Sequence, residues 1–205
     1  MKISIICAMD EKRGIGKDNK IPWHIKEDLV KLKNLTKDRV VILGRISYDS
    51  MLWYYNKSGK PMPGKLYIVV THGKDYSLSR ENAITIGSVQ EAVEKASLYC
   101  HPEFISGSPS PQPSPSRGEG EERVKEMPNQ ASPDRHDNGY EVFIIGGGQI
   151  FQQALPLADK LYLTIVEGDF NCDTFFPDYS EFRKVISEEE KVGEGHRYKF
   201  LELER

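Results

Sequence analysis

The sequence predicts an α/β fold: a central, mostly parallel sheet with helices on both faces and an antiparallel hairpin at its C-terminal edge. Two observations carry this. Short, nearly continuous runs of β-branched and apolar residues recur along the chain, as strands buried on both faces require. Stretches with helical spacing alternate with them. The last two runs follow one another with no helical crossover between them, which leaves them a hairpin connection.

Residues 3–8 (ISIICA) read as the first buried strand, and residues 39–43 (RVVIL) as a second that Gly44 ends. Between them, residues 26–34 carry a helical pattern with Leu29, Leu32 and Ile25 on one face. Pro63-Gly64 turns the chain into a third strand, residues 66–70 (LYIVV). A shorter strand spans 83–86, and Ser88 caps a helix carrying Val89, Ala92, Val93 and Ala96. Residues 141–145 (EVFII) form another buried strand, followed by Gly146-Gly147-Gly148 and a helix over about 149–155. Strands over 161–166, 184–190 and 198–203 close the sheet.

At 205 residues the chain suits one well-cored domain, 1–205. The stretch 101–138 stands apart: rich in Pro, Ser, Gly and charge, it cannot bury enough surface to offset ordering, which predicts disorder. Loop closure costs grow only logarithmically with length, so a tolerated surface insertion accounts for it better than a proline-rich ligand for a partner domain. A net charge of −3 and a pI of 6.0 supply no basic field for nucleic acid or an anionic membrane. No apolar run nears the roughly 20 residues of a bilayer span, and charges directly after the first strand argue against a signal peptide. Cys7, Cys100 and Cys172 are odd in number and lack C-x-x-C spacing, which fits a reducing cytoplasm and no zinc site. The expectation is a cytoplasmic monomer without a metal, a membrane or a nucleic-acid partner.

Chemistry concentrates at the strand ends. Gly146-Gly147-Gly148 either lets a phosphate approach the free N–H groups of a helix start or merely lets helix and strand pack closely. It is not the dinucleotide fingerprint, because Phe151 stands where a glycine is needed. Gly44-Arg45-Ile46-Ser47 suits phosphate oxygens or an ordinary cap equally well. Thr71 and His72, with Lys74 behind them, end the third strand, where open α/β sheets bind ligands. Together the three strand ends point to one extended dinucleotide. Gly14-Ile15-Gly16-Lys17 is no P-loop, since Glu11 replaces the leading glycine and Asp18 follows the lysine. Asp28, in the first helical turn behind Pro22-Trp23, has two readings. It complements the helix dipole, or it is a partly desolvated carboxylate presented to a flat ring walled by Leu29 and Leu32. No histidine, cysteine or serine stands in a recognisable catalytic motif.

Taken in order, Ile6-Cys7-Ala8, Gly14-Ile15-Gly16, Ile21-Pro22-Trp23, Asp28-Leu29 and Gly44-Arg45 form one half of a pattern. Pro61-Met62-Pro63-Gly64-Lys65, Ile145-Gly146-Gly147-Gly148, Leu161-Tyr162-Leu163-Thr164 and Asp173-Thr174-Phe175-Phe176-Pro177 form the other. The set closely resembles bacterial dihydrofolate reductase, over the whole chain except 101–138 and a lengthened loop near 52–60. The resemblance implies a dihydrofolate-reductase-like fold and NADPH-dependent reduction of 7,8-dihydrofolate to tetrahydrofolate in one-carbon metabolism. By it, Asp28 holds the pterin and, with Ile21 and Trp23, forms the catalytic end. Ile6, Cys7, Leu32, Met51, Lys65 and Thr164 line the substrate. Ala8, Ile15, Gly16, Gly44, Arg45, Ile46, Ser47, Thr71 and His72 bind the cofactor. So do Gly146, Gly147, Gly148, Gln149, Ile150 and Phe151, while Arg45, His72 and Lys74 favour a 2′-phosphate. Residues 9–23 are a mobile loop over the nicotinamide, and Gly146-Gly147 is a cis peptide.

Two positions depart from the family pattern. Lys65 replaces the arginine that grips the substrate's glutamate tail and lacks its planar fork. Leu32 replaces a phenylalanine on the pterin wall, and Trp53, Tyr54 and Tyr55 in the lengthened loop cover the tail in compensation. Three readings compete: a reductase of the same fold acting on a ribosylamino-pyrimidine, a non-catalytic NADPH- or pterin-binding module, and a poorly folding pseudogene product. Asp28 behind Pro22-Trp23 speaks against the first, and the second predicts binding without turnover.

Overall fold

The computed structural model describes residues 1–73, 76–100 and 140–205. The 101–138 segment, with the disorder predicted for it, and Lys74 lie outside the described residues. The chain begins with β1 (Lys2–Asp10), β2 (Gly14–Gly16), α1 (Lys26–Thr36), β3 (Val40–Gly44) and α2 (Arg45–Ser58). There follow β4 (Leu66–Val70), β5 (Ala83–Ile86), α3 (Val89–Cys100), β6 (Glu141–Ile144) and α4 (Gly148–Ala154), the last running into a 3-10 turn at Leu155–Leu157. It closes with β7 (Lys160–Val166), β8 (Thr174–Phe175), β9 (Lys184–Gly193) and β10 (His196–Glu204).

Eight strands form one sheet in the order β5-β4-β3-β6-β1-β7-β10-β9. The six from β5 to β7 run parallel, and β10 is antiparallel to both β7 and β9. This is the predicted arrangement, edge hairpin included. The hairpin turns on Glu194 and Gly195, both at positive φ (53° and 82°), as a two-residue type I′ turn requires.

The continuous apolar runs have a direct cause. In β3, Val40 and Ile42 face the core that also holds Val89, Ala92 and Ala96 of α3, whereas Val41 and Leu43 face Tyr48 and Tyr55 of α2. With both faces covered, each such side chain contributes roughly 1.5–3 kcal/mol by burial. On the α2 side of the sheet, α1 lays Leu32 and Leu35 on Ile6, Phe143 and Tyr162. Ser88 caps α3 as expected, accepting the Glu91 N–H at 3.2 Å.

The lengthened loop expected near 52–60 is helical instead. Those residues continue α2 to Ser58, where Gly59 in the left-handed region (φ 65°) ends it. Tyr48, Leu52 and Tyr55 extend one helical face into the core beside Met62 and Tyr67. Trp53 is 63% exposed and Tyr54 is also exposed. Residues 9–23 are likewise not all loop: β1 runs through Asp10, and Gly14–Gly16 pairs with β8.

Tyr67 fixes the turn before β4. Its hydroxyl accepts the Gly64 N–H at 2.7 Å, and a Cβ on Gly64 would lie 2.7 Å from the ring's Cζ. Tyr67→Phe leaves that buried N–H unpaired and is expected to cost about 1–3 kcal/mol in urea unfolding.

Candidate active site

Parallel pairing brings the C-terminal ends of β3, β4 and β6 to one edge of the sheet. There the Gly44 N–H donates to the Gly146 carbonyl at 2.7 Å, and the Ile145 N–H to Ile42 at 3.1 Å. A Cβ on Gly44 would stand 3.1 Å from Ile150 Cγ1. One on Gly146 would stand 3.3 Å from Ser47 Oγ, and one on Gly147 3.5 Å from the same oxygen. The Gly146-Gly147 peptide is cis. The glycines thus keep open a cradle between β3 and β6 with the Ser47 hydroxyl at its wall. Gly44 supplies no side chain to cap α2, so the first N–H groups of that fourteen-residue helix remain available to an anion. These features fit a dinucleotide's phosphates.

Around the cradle, Ile46, Gln149 and His72 are exposed, and Thr71 is half-buried. The side chains of Ile150 and Phe151 belong to the core, so only their backbone can face a ligand. Arg45 is exposed, with its guanidinium 3.6 Å from Asp49, and Asp49 also accepts the Tyr76 hydroxyl. Ile15 sits against Gly148, 3.7 Å from where its Cβ would be. The Gly16 carbonyl accepts the Asp173 N–H at 3.0 Å.

Farther along the same face, α1 presents Asp28 to β7. The Thr164 hydroxyl donates to Asp28 Oδ1 at 2.5 Å. Burial pushes the Asp28 carboxyl above the usual carboxylate range, opposed by the Thr164 hydrogen bond and the Lys31 charge. Ala8 lies opposite Thr164 in the β1–β7 register, and Ile6 opposite Tyr162. Ile6 and Leu32 share one apolar cluster, and Met51 belongs to the neighbouring one beneath α2. Ile145 packs against both clusters and joins them. No motif in the sequence marks it, although its place one residue beyond Ile144 puts it on the Phe143 face by alternation.

Other predicted residues are placed differently. Strand alternation sends Cys7 to the opposite face with Ile5 and Met9, where burial holds its thiol well above the ordinary value. Cys7 therefore offers the Asp28 side its backbone alone. Trp23 is buried beside Ala8 and Phe170, and its Nε1 has no hydrogen-bond partner among the described residues. Ile21 is 61% exposed, between β2 and α1. Lys65, also exposed, precedes β4, and its N–H is held by the Arg39 carbonyl at 2.9 Å. Among the described residues no group of three or more His, Cys, Asp or Glu gathers to hold a metal. No described helix is long and apolar enough to cross a membrane.

A recessed carboxylate beside a glycine-lined cradle at the strand ends defines a dinucleotide-dependent α/β enzyme. The profile of the dihydrofolate reductase family matches residues 2–108 and 112–205, and the chain belongs to that family. It is an NADP-dependent oxidoreductase of folate metabolism that reduces dihydrofolate. The chain is 31% identical to the dihydrofolate reductase of Staphylococcus haemolyticus over 98% of its length and 92% of the relative's. It is 28% identical to that of Bacillus subtilis (strain 168), over 99% and 94%. The fold is also that of a dihydrofolate reductase from Enterococcus faecalis solved with NADP(H) and RAB-propyl. That likeness has a TM-score of 0.66 at 24% identity and covers 100% of this chain and 96% of the other.

Proposed function

We propose that the chain reduces 7,8-dihydrofolate to 5,6,7,8-tetrahydrofolate with Asp28 holding and polarising the pterin, a reading carried by the recessed Asp28–Thr164 pair. The nicotinamide of NADPH supplies the hydride when bound. Asp28 accepts from the pterin's amino group and neighbouring ring N–H, and the Thr164 hydroxyl fixes the orientation of the carboxylate. The negative charge favours protonation of the imine nitrogen at the far end of the ring, and water delivers that proton, since Asp28 grips the other end. Ile6, Leu32, Met51 and Ile145 exclude solvent from the flat ring, and Trp23 contributes a buried donor.

The cofactor's phosphates fall to Gly44, Ser47, Thr71 and Gly146–Gly148, and its 2′-phosphate to Arg45 and His72. Ala8, Ile15 and Gly16 meet its nicotinamide end, with Ile21 on the loop beside it. Lys65 takes the substrate's tail carboxylate, aided by Trp53 and Tyr54. Tyr55 is buried and takes no part. A net charge of −3 and three free cysteines support work in the cytoplasm without a nucleic-acid partner, and a length of 205 residues suits a single domain.

The test is NADPH oxidation by the purified chain with dihydrofolate. Absence of turnover overturns the proposal, and ligand binding without turnover supports the non-catalytic reading. In the same assay Lys65→Ala is expected to raise the KM for dihydrofolate about tenfold with kcat nearly constant, the signature of lost uniform binding. An unchanged KM removes Lys65 from the tail site.

A further inference from the structure

Asp10 is a buried carboxylate for which the reaction has no use. It ends β1 two residues beyond Ala8 and is 1% exposed. Its partners are backbone N–H groups from two loops that are distant in sequence. Oδ1 accepts from Lys12 at 2.9 Å and from Gly14 at 2.7 Å, and Oδ2 accepts from Phe170 at 3.3 Å. The Lys12 ammonium pairs instead with Asp169, at 2.6 Å. Backbone donors thus supply the compensation that a buried carboxylate requires.

The surroundings are close-packed. Arg13 stands in the left-handed region (φ 65°), and its N–H returns to the Asp10 carbonyl at 3.0 Å. A Cβ on Gly14 would lie 2.5 Å from Cys172 Cβ and 2.8 Å from Asp10 Oδ2, so no larger residue fits there without displacement. Both clasped loops lead into the two-stranded sheet: Gly14 opens β2, and Cys172 precedes β8. The Phe176 N–H donates to the Arg13 carbonyl at 2.8 Å, which locks the far side. From that small sheet, Thr174 and Ile15 reach the triglycine turn, their Cγ2 and Cδ1 lying 2.8 and 3.7 Å from the position of a Gly148 Cβ. Contacts therefore run from Asp10 to the cradle without a gap.

We infer that Asp10 is a positioning residue for cofactor binding. By clasping the 11–14 and 168–172 loops to the end of β1, it holds Ile15 and Thr174 against the triglycine turn. This rests on the reading that Ile15 and the triglycine turn meet NADPH. The Asp28–Thr164 pair is built on α1 and β7 and meets the clasped 168–172 loop indirectly, through the Phe170 ring that packs edge-on against Trp23 at 5.0 Å. Loss of Asp10 therefore weakens NADPH binding far more than dihydrofolate binding.

The test titrates NADPH and dihydrofolate separately into wild type, Asp10→Ala and Asp10→Asn, read by tryptophan fluorescence, with NADPH dissociation followed by stopped flow. Asp10→Ala is expected to weaken NADPH binding about tenfold through faster dissociation, with dihydrofolate affinity within about twofold of wild type. Asp10→Asn keeps a carbonyl acceptor for Lys12 and Gly14 but opposes the Phe170 N–H with a donor, so it falls between. Unchanged NADPH affinity, or an equal loss for both ligands, overturns the clasp. If Asp10→Ala fails to fold, Asp10→Asn decides by the same comparison. A wild type that binds no NADPH overturns the cofactor reading itself, whereas normal wild-type binding with an unaffected variant overturns the clasp alone.

Discussion

Asp28→Asn is expected to lower turnover of dihydrofolate by about 10²–10⁴-fold at neutral pH, the range over which positioned acid–base groups act. The amide still accepts the Thr164 hydroxyl, so the geometry at β7 survives. What disappears is the charge that favours protonation at the far end of the ring, and an NH₂ now opposes the pterin's own donors. The same substitution has a second, opposite consequence. Burial raises the Asp28 pKa, and the Thr164 hydrogen bond and Lys31 only partly offset it. A carboxyl whose folded pKa exceeds its unfolded value of roughly 4 favours the fold most in acid and loses that contribution as pH rises through the folded pKa. At neutral pH the wild type therefore carries an unfavourable buried charge that Asp28→Asn removes. The variant melts above the wild type at neutral pH, and the gap closes toward acid. Thermal melts across that interval check the sign: a variant that is less stable at neutral pH contradicts it.

Gly146→Ala is expected to destabilise the fold by about 1–3 kcal/mol and to weaken NADPH binding at least about tenfold. Two independent effects combine. At φ +134° an L side chain is strained whatever the surrounding space, and the added Cβ would press on Ser47 Oγ at 3.3 Å inside the cradle. Gly59→Ala separates them. Gly59 is also at positive φ (+65°), but nothing lies within 4 Å of its Cβ position, and it terminates α2 far along the helix from the cradle. That variant should lose about 1 kcal/mol and no cofactor affinity. Equal NADPH affinity for Gly146→Ala and wild type would take the triglycine turn out of the cofactor site.

Much of the sheet was legible because burial on both faces writes itself into continuous apolar runs. VVILG and LYIVV needed no further context. The extension of α2 was hidden by Trp53 and Tyr54, two exposed aromatics that interrupt the apolar face carried by Tyr48, Leu52 and Tyr55. β2 and β8, of three and two residues, are too short to show a period. Cys7 shows a different gap. Resemblance places it beside Ile6 at the substrate, whereas the alternation within ISIICA already puts the two side chains on opposite faces. Asp10 could not be read at all, because its partners are backbone groups that leave no mark in the sequence.

The strand order also has a consequence for synthesis on the ribosome. β1 is made first, yet its two neighbours, β6 and β7, come from the last third of the chain. Until β6 emerges, β1 has no lateral partner, and β3, β4 and β5 can form only a fragment of the sheet with the β3 edge open. The nascent chain thus carries sticky, unpaired strands through most of translation, the condition that recruits chaperones and invites aggregation. Any sequence placed between β5 and β6 prolongs that exposed interval in time while adding little to the free energy of closing the loop.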